Sequence, residues 1–456
     1  WGENYGAQCG NGTNVTELPP GSYTGLTNIV QMDGGRSYSM ALRSDGTVYT
    51  WGRTENGELG NGVGWSNYVH SPQAINLTNV IQIEAGNTHA LALLRDGTVR
   101  SWGSNFYGQL GDSTRNDRLT PSPTRFSGCI VALAAGYSHT LALRADGTVL
   151  ACGNNALSSL GNGTTGGIYP FPSPVPGLTD VVAIAAAGYS SFALRSDGTV
   201  WSWGYNAFGE LGNGNTTDSA VPVQVSGLSE IRQIAASYYN GYAIRNTGEA
   251  YAWGRGDMGA IGDGSAAWRL TPVVIPGLTD PKKIEAGDAG WAIALLQDGT
   301  LRAWGYNVHG VLASGAPLGA YRYSHEPVLN VTAANGVDAG FATAHVLGHL
   351  VGVTGVETPA SEQVPMALAL RVAPVPSRAS TSLAFDLPSS GRVAIAIYDV
   401  SGRLVRSILT EPRVAGRHTT AWDGKTRSGE EAPAGVYFAR LTGSGGTATR
   451  RIVLVR

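Results

Sequence analysis

Seven times along this chain a tryptophan or cysteine is followed by glycine at a nearly fixed interval. The pairs are Trp1–Gly2, Trp51–Gly52, Trp102–Gly103, Cys152–Gly153, Trp203–Gly204, Trp253–Gly254 and Trp304–Gly305. Their spacings alternate between 50 and 51 residues. Each pair ends a phrase best preserved at Ala85–Gly103, AGNTHALALLRDGTVRSWG. Leu91, Leu93 and Val99 alternate with other residues, the period of β-strands, and Asp96–Gly97 marks a tight turn between two strands. Related phrases are SMALRSDGTVYTWG, HTLALRADGTVLACG, SFALRSDGTVWSWG, GYAIRNTGEAYAWG and AIALLQDGTLRAWG.

A unit of about 50 residues made only of strands and turns suggests a propeller blade. Four strands fit in each: one before the Ala–Gly (Val80–Ala85), the two of the hairpin, and one near Ser71–Leu77. A lone unit cannot bury both faces of its sheet, so the units pack around a common axis. Residues 1–13 read as the second half of a repeat. Ala339–Gly355, by contrast, lacks Asp–Gly–Thr and a following Trp–Gly. The two ends are complementary, and the Trp1 segment is expected to complete the last blade and remove the exposed sheet edges.

The phrase AGxxHxLALxxDGTVxxWGxNxxGxLGxG resembles the regulator of chromosome condensation repeat, in the superfamily of the β-lactamase-inhibitor protein II. It covers roughly residues 1–350. The resemblance implies a seven-bladed propeller. Kelch repeats share the period but are built on a Gly–Gly doublet, found in that position only at Gly34–Gly35, so kelch is set aside.

Residues 356–367, VETPASEQVPMA, break the pattern with two prolines and read as a linker. Seven short apolar segments follow in 368–456, with clear alternation at Val393, Ile395 and Ile397, and suggest an Ig-like β-sandwich. The expected fold is therefore all-β: a seven-bladed β-propeller at 1–355, a linker, and an Ig-like sandwich at 368–456. VAPVPSRASTSLAFDLP, VAIAIYDVSGRLVRSI and AWDGKTRSGEEAPAGVYFARL resemble the flagellar-hook-capping-type Ig-like domain. They also resemble the C-terminal sorting domain of type IX secretion. This resemblance implies a bacterial protein, secreted or at the cell surface, whose last domain engages export machinery.

Net charge is −2, which leaves no electrostatic footprint for nucleic acid. Residues from 368 onward carry 13 Lys and Arg against 6 Asp and Glu, whereas 1–367 carry 18 against 27. The three cysteines, Cys9, Cys129 and Cys152, form no disulfide framework and read as buried packing residues. No stretch of about 18 apolar residues suggests a transmembrane helix.

No nucleophile elbow, Cys–His pair or phosphate loop is visible. His89 and His139 share one repeat position and read as core hydrogen-bonding groups. His345, His349, His309 and His325 are weak zinc candidates without the helical spacing of a zinc protease. The glycine-rich turns after each Trp–Gly read as structural. Trp65, Tyr68, Tyr169, Phe171, Trp268, Tyr321 and Tyr323 in the variable segments are either partner anchors or covers for outer strands. No cofactor and no metal is expected, and the chain does not read as an enzyme.

The better candidates follow each Ala–Gly: Arg36, Asn87, Tyr137, Tyr189, Tyr238, Tyr239, Asp288 and Phe341. Equivalent blade positions form a ring at one end, and a rigid ring rich in Tyr matches interface composition. In the β-lactamase-inhibitor protein, aromatics near this position line the inhibitory face. The plant ultraviolet-B photoreceptor of the family carries Gly-Trp-Arg-His-Thr here; this sequence lacks that motif, which argues against light sensing. The expected function is a noncatalytic exported module that binds a protein, or a glycan, through this ring. The alternatives are nucleotide exchange on a small GTPase, the founding member's activity, and a surface hydrolase with an unrecognised site.

Overall fold

The computed structural model describes the chain apart from residues 17–19, 22, 24, 66, 351–368, 374–380, 388–390, 400–402, 414–415, 444–445 and 455–456. It divides into two units, Trp1–Gly352 and Val353–Arg456. The expected linker at 356–367 and the boundary at 355 fall outside the described residues.

The first unit contains six four-stranded antiparallel meanders and a seventh sheet built on Val331–Ala339 and Ala344–Leu350. The first strand of each sheet lines a central channel. These strands are Ile29–Gly34, Val80–Ala85, Ile130–Ala135, Val181–Ala187, Ile231–Ser237, Pro281–Gly287 and Val331–Ala339. Each packs on the next, and the last packs on the first, so the ring closes. Second strands are buried on both faces, since each sheet is sandwiched between neighbours; His89–Leu93 is buried at every position. The alternation in the sequence therefore marks which neighbour a side chain meets rather than inside against outside.

The amino-terminal residues complete the seventh sheet, as the ends of the sequence suggested. Gly2 bridges antiparallel to Thr343. The Glu3 N–H donates to the Ala342 carbonyl at 2.8 Å, and the Ala344 N–H to that of Trp1 at 2.9 Å.

The Trp–Gly period has a direct physical cause. A buried indole N–H needs an acceptor, and here each finds it in the glycine-rich turn of the preceding unit. Trp51 donates to Gln8 O at 2.8 Å, Trp102 to Glu58 O at 2.8 Å, and Trp203 to Ser159 O at 2.9 Å. Trp253 reaches Glu210 O at 2.7 Å, Trp304 reaches Ala260 O at 2.9 Å, and Trp1 reaches Val311 O at 2.9 Å. At the exception, Cys152 Sγ lies 3.7 Å from Gln109 O. The turn must be glycine where the indole rests: a Cβ on Gly60, at φ +64°, would sit 2.9 Å from Trp102 Nε1.

The hairpin turn is longer than a two-residue reading suggests. Gly97 N–H donates to Leu94 O at 2.9 Å, and Leu94 N–H to Thr98 O at 2.9 Å. This is a type I-like turn over Leu94–Gly97 closed by a glycine at φ +82°. Asp96 Oδ1 accepts from the Thr98 N–H at 2.9 Å and its hydroxyl at 2.7 Å, which explains Asp–Gly–Thr.

All three cysteines are free, and Cys9 and Cys152 are buried. Cys129 is exposed, against the expectation of a buried packing residue. It precedes the inner strand Ile130–Ala135, in the connection at the Asp–Gly end, where the chain has not yet entered the core.

The second unit has the seven expected strands, in two antiparallel sheets. Ala369–Ala373, Thr381–Leu387 and Gly416–Trp422 form one. Leu404–Arg413, Gly391–Asp399, Gly435–Gly443 and Gly446–Leu454 form the other. Leu383, Phe385, Val393, Ile395, Ile397, Trp422 and Leu441 close the core between them. Among the described residues no helix is long and apolar enough to cross a membrane.

Candidate functional site

Antiparallel pairing puts three sets of loops on one face. His89, at the start of a second strand, pairs with Gly103 at the end of the third, and Gly103 pairs with Arg118 at the start of the outer strand. The residues after each Ala–Gly, the turns after each Trp–Gly and the first residues of the outer strands therefore share one end of the propeller. The Asp–Gly turns occupy the other.

Seven of the eight ring candidates fall into two groups, and Asp288 stands apart. Tyr137, Tyr189 and Tyr238 pack on one another, with ring centroids 5.4, 5.8 and 5.7 Å apart. Tyr238 lies 4.5 Å from Tyr239, which meets Phe208 at 5.2 Å, and Phe208 meets Trp268 at 4.8 Å. The Arg255 guanidinium sits 4.9 Å from the Phe208 ring and 5.0 Å from that of Tyr239, fixed by Asp257 at 2.7 Å. The result is a continuous aromatic arc across adjacent blades. Its tyrosines are half-buried, and Trp268 is 47% exposed. Burial and the neighbouring phenols raise the Tyr238 hydroxyl, and burial raises that of Tyr189, so both stay protonated hydrogen-bonding groups.

Arg36, Asn87 and Phe341 lie elsewhere on the face, around a cleft of about 410 Å³ that also takes in Glu3, Tyr5 and Arg53. Asp288 lies outside this cleft and lines the channel mouth, which Arg36, Asn87 and Phe341 also reach. Burial pushes its carboxyl up to about 6, opposed by the Tyr238 backbone N–H that it accepts.

The histidines are structural. His89 Nε2 lies 3.1 Å from Thr140 Oγ1 and His139 Nε2 2.9 Å from Ser191 Oγ, each bonding the next blade. His345 continues the ring, with Nε2 3.1 Å from Ser39 Oγ and Nδ1 2.5 Å from Tyr23 OH. Burial holds them neutral, His89 and His345 at about 3 and His139 at about 4. His309 packs on Tyr5, His325 on Trp304 and His345 between Tyr23 and Ser39, so these three zinc candidates do not gather; His349 is placed by its strand alone.

The channel holds Asp33, Glu84, Glu285, Asp338 and Lys283. Burial raises Asp33 and Asp338 and takes Glu84 to about 8. These groups knit neighbouring strands: Asp33 Oδ2 accepts from the Ala85 N–H at 2.7 Å, and Lys283 Nζ donates to Val337 O at 3.1 Å. Among the described residues no group of three or more His, Cys, Asp or Glu is arranged to hold a metal ion.

The sequence reading missed Glu3, Tyr5, Arg53, Phe208 and Arg255. All follow a Trp–Gly, in turns read as purely structural. The available signal was the strand reversal itself, which brings those turns beside the residues that follow Ala–Gly.

Comparison with known proteins agrees with this architecture. The model of the RCC1-like domain matches residues 1–347, and that of the FlgD Ig-like domain matches residues 375–446. The ultraviolet-B receptor UVR8 of Arabidopsis thaliana is 32% identical over 232 residues, covering 49% of this chain and 52% of the receptor. Protein pim1 of Schizosaccharomyces pombe is 31% identical over 221 residues, covering 43% of this chain and 41% of pim1. The chain thus spans about half the length, or less, of these curated relatives. Human WBSCR16 superposes with a TM-score of 0.66 at 25% identity, over 73% of this chain and 90% of its own. Yeast Prp20, solved bound to Kap60, gives 0.63 at 24% identity, over 71% and 81%. With the repeat, the closed ring of sheets and a family match across residues 1–347, this chain belongs to the RCC1-like domain family.

Proposed function

We propose that the propeller is a noncatalytic module that presents its aromatic arc to a protein partner. The observation that carries this is the run Tyr137–Tyr189–Tyr238–Tyr239–Phe208–Trp268 with Arg255 stacked into it. Tyr, Trp and Arg are the residues that dominate binding energy at protein interfaces, and rings already held by one another lose little freedom on binding. Prp20, with the same fold, was solved bound to the protein Kap60.

The Ig-like unit is assigned export or surface attachment, and the whole protein an extracellular or cell-surface location. The match to the FlgD Ig-like domain supports the domain type, and the export reading rests on the resemblance of the sequence to exported tails. The test is capture from cell-surface and medium fractions by the full chain and by the variant Tyr137→Ala, Tyr189→Ala, Tyr238→Ala, Tyr239→Ala. A partner held by the parent alone supports the arc; equal capture by both refutes it.

A further inference from the structure

The cleft on the same face has a chemistry of its own. It is formed by the first, second and seventh sheets and the amino-terminal segment, with a volume of about 410 Å³, inside the range of roughly 300–1,000 Å³ typical of small-molecule sites. Asn87 is only 6% exposed, yet its side-chain amide makes no hydrogen bond to the described residues. Amides this enclosed ordinarily find partners, so one that opens onto the cleft and the adjoining channel mouth points to a ligand. Arg36, Glu3, Ser37, Thr88 and Tyr5 line the same cleft without a side-chain hydrogen bond among the described residues, Glu3 feeling the charges of His309 and Arg36. The Arg53 Nε is buried and likewise unpaired.

The charges here balance. Arg53 pairs with Glu55. The Glu58 carboxylate accepts from the N–H groups of Glu55 and Asn56 at 2.8 and 2.9 Å, and from the Asn56 amide at 2.9 Å. That leaves one cation, Arg36, and one acid, Glu3. An ionic ligand meets an opposing charge of each sign. A neutral ligand dense in hydroxyls meets donors and acceptors together. Tyr5, 62% exposed and braced edge-on by His309 at 5.5 Å, adds a ring face at the rim against which a C–H surface can pack.

We infer that this cleft binds a neutral saccharide of one or two sugar units. Asn87, Arg36 and Glu3 hydrogen-bond its hydroxyls, and Tyr5 stacks against its ring. A protein side chain brings too few polar atoms to satisfy this many open groups. The site is separate from the aromatic arc and does not depend on it.

The experiment is saturation-transfer NMR on the full chain with chitobiose, cellobiose, maltose and lactose at millimolar concentration. At least one disaccharide is expected to receive saturation. Asn87→Ala and Arg36→Ala are each expected to weaken its binding at least tenfold. Asn87→Ala should leave the melting temperature unchanged, because its amide holds nothing within the fold; Arg36 is exposed, so its variant stays folded in either case. Tyr137→Ala with Tyr238→Ala should bind the sugar as the parent does, which separates this site from the protein-binding one. Absence of transfer from all four sugars overturns the inference, as does undiminished transfer in both cleft variants. It is also overturned if the cleft variants lose a captured protein partner while no sugar binds, since the cleft then belongs to the protein contact.

Discussion

The indole Nε1 of Trp1 donates to the backbone carbonyl of Val311 at 2.9 Å, joining residues 310 positions apart. It is the same bond that Trp51, Trp102, Trp203, Trp253 and Trp304 make to the unit before them. At Trp1 it closes the ring. Removing residues 1–13 takes away this bond, the strand beside Thr343 and the Trp1 ring from a core that includes Trp291, Ile293 and Val311. Trp1→Ala alone is expected to cost about 3–5 kcal/mol, and the deletion more. Urea unfolding followed by circular dichroism checks this, and an unchanged midpoint would contradict ring closure.

Cys152 occupies a tryptophan position, and its neighbourhood has adapted. A Cβ on Gly111 would meet the Phe126 ring at 2.9 Å and Cys152 Sγ at 3.1 Å, so Phe126 stands over the turn where other units place an indole. Cys152→Trp is therefore expected to destabilise by about 1–3 kcal/mol through overpacking, although it restores the repeat. Adding Phe126→Ala should recover part of that loss. Additive effects in this double-mutant cycle would show that the two side chains do not compete for space.

His139 is fully buried, and burial holds it at about 4, against roughly 6.5 in an unfolded chain. Above pH 6.5 the imidazole is neutral in both states, and its contribution is fully present. As pH falls below that, the unfolded chain takes up a proton that the folded state refuses, so stability drops until the folded state also protonates near 4. His139→Gln should lower stability by about 1 kcal/mol at pH 7.5, through the weakened contact to Ser191. It should also flatten the pH dependence between 6 and 4.5 by up to about 1.4 kcal/mol per pH unit. Parallel curves for parent and variant would contradict this.

Much of the propeller was legible because its repeat records a physical distance. Each indole after the first donates to a carbonyl 43 or 44 residues earlier, in the preceding unit's turn, so the Trp–Gly period survives where surface loops vary. The shared position of His89 and His139 was readable for the same reason, since each must bond the next blade. What could not be read depends on contacts remote in sequence. The cleft joins Glu3 and Tyr5 with Asn87 and Phe341 only after the ring closes. The stacking of Arg255 between Phe208 and Tyr239 comes from three different turns, none marked by periodicity. The residues after Ala–Gly lie at one end of the propeller. Their division into an aromatic arc and a polar cleft followed from side-chain packing that no repeat position encodes.

The aromatic arc as a protein-binding surface is tested most directly by hydroxyl-radical footprinting of the full chain with and without its captured partner. The account predicts protection of Tyr137, Tyr189, Tyr238, Tyr239, Phe208 and Trp268. Protection confined to the Asp–Gly turns around Asp96, Asp146, Asp197 and Asp298, at the opposite end of the propeller, would contradict it.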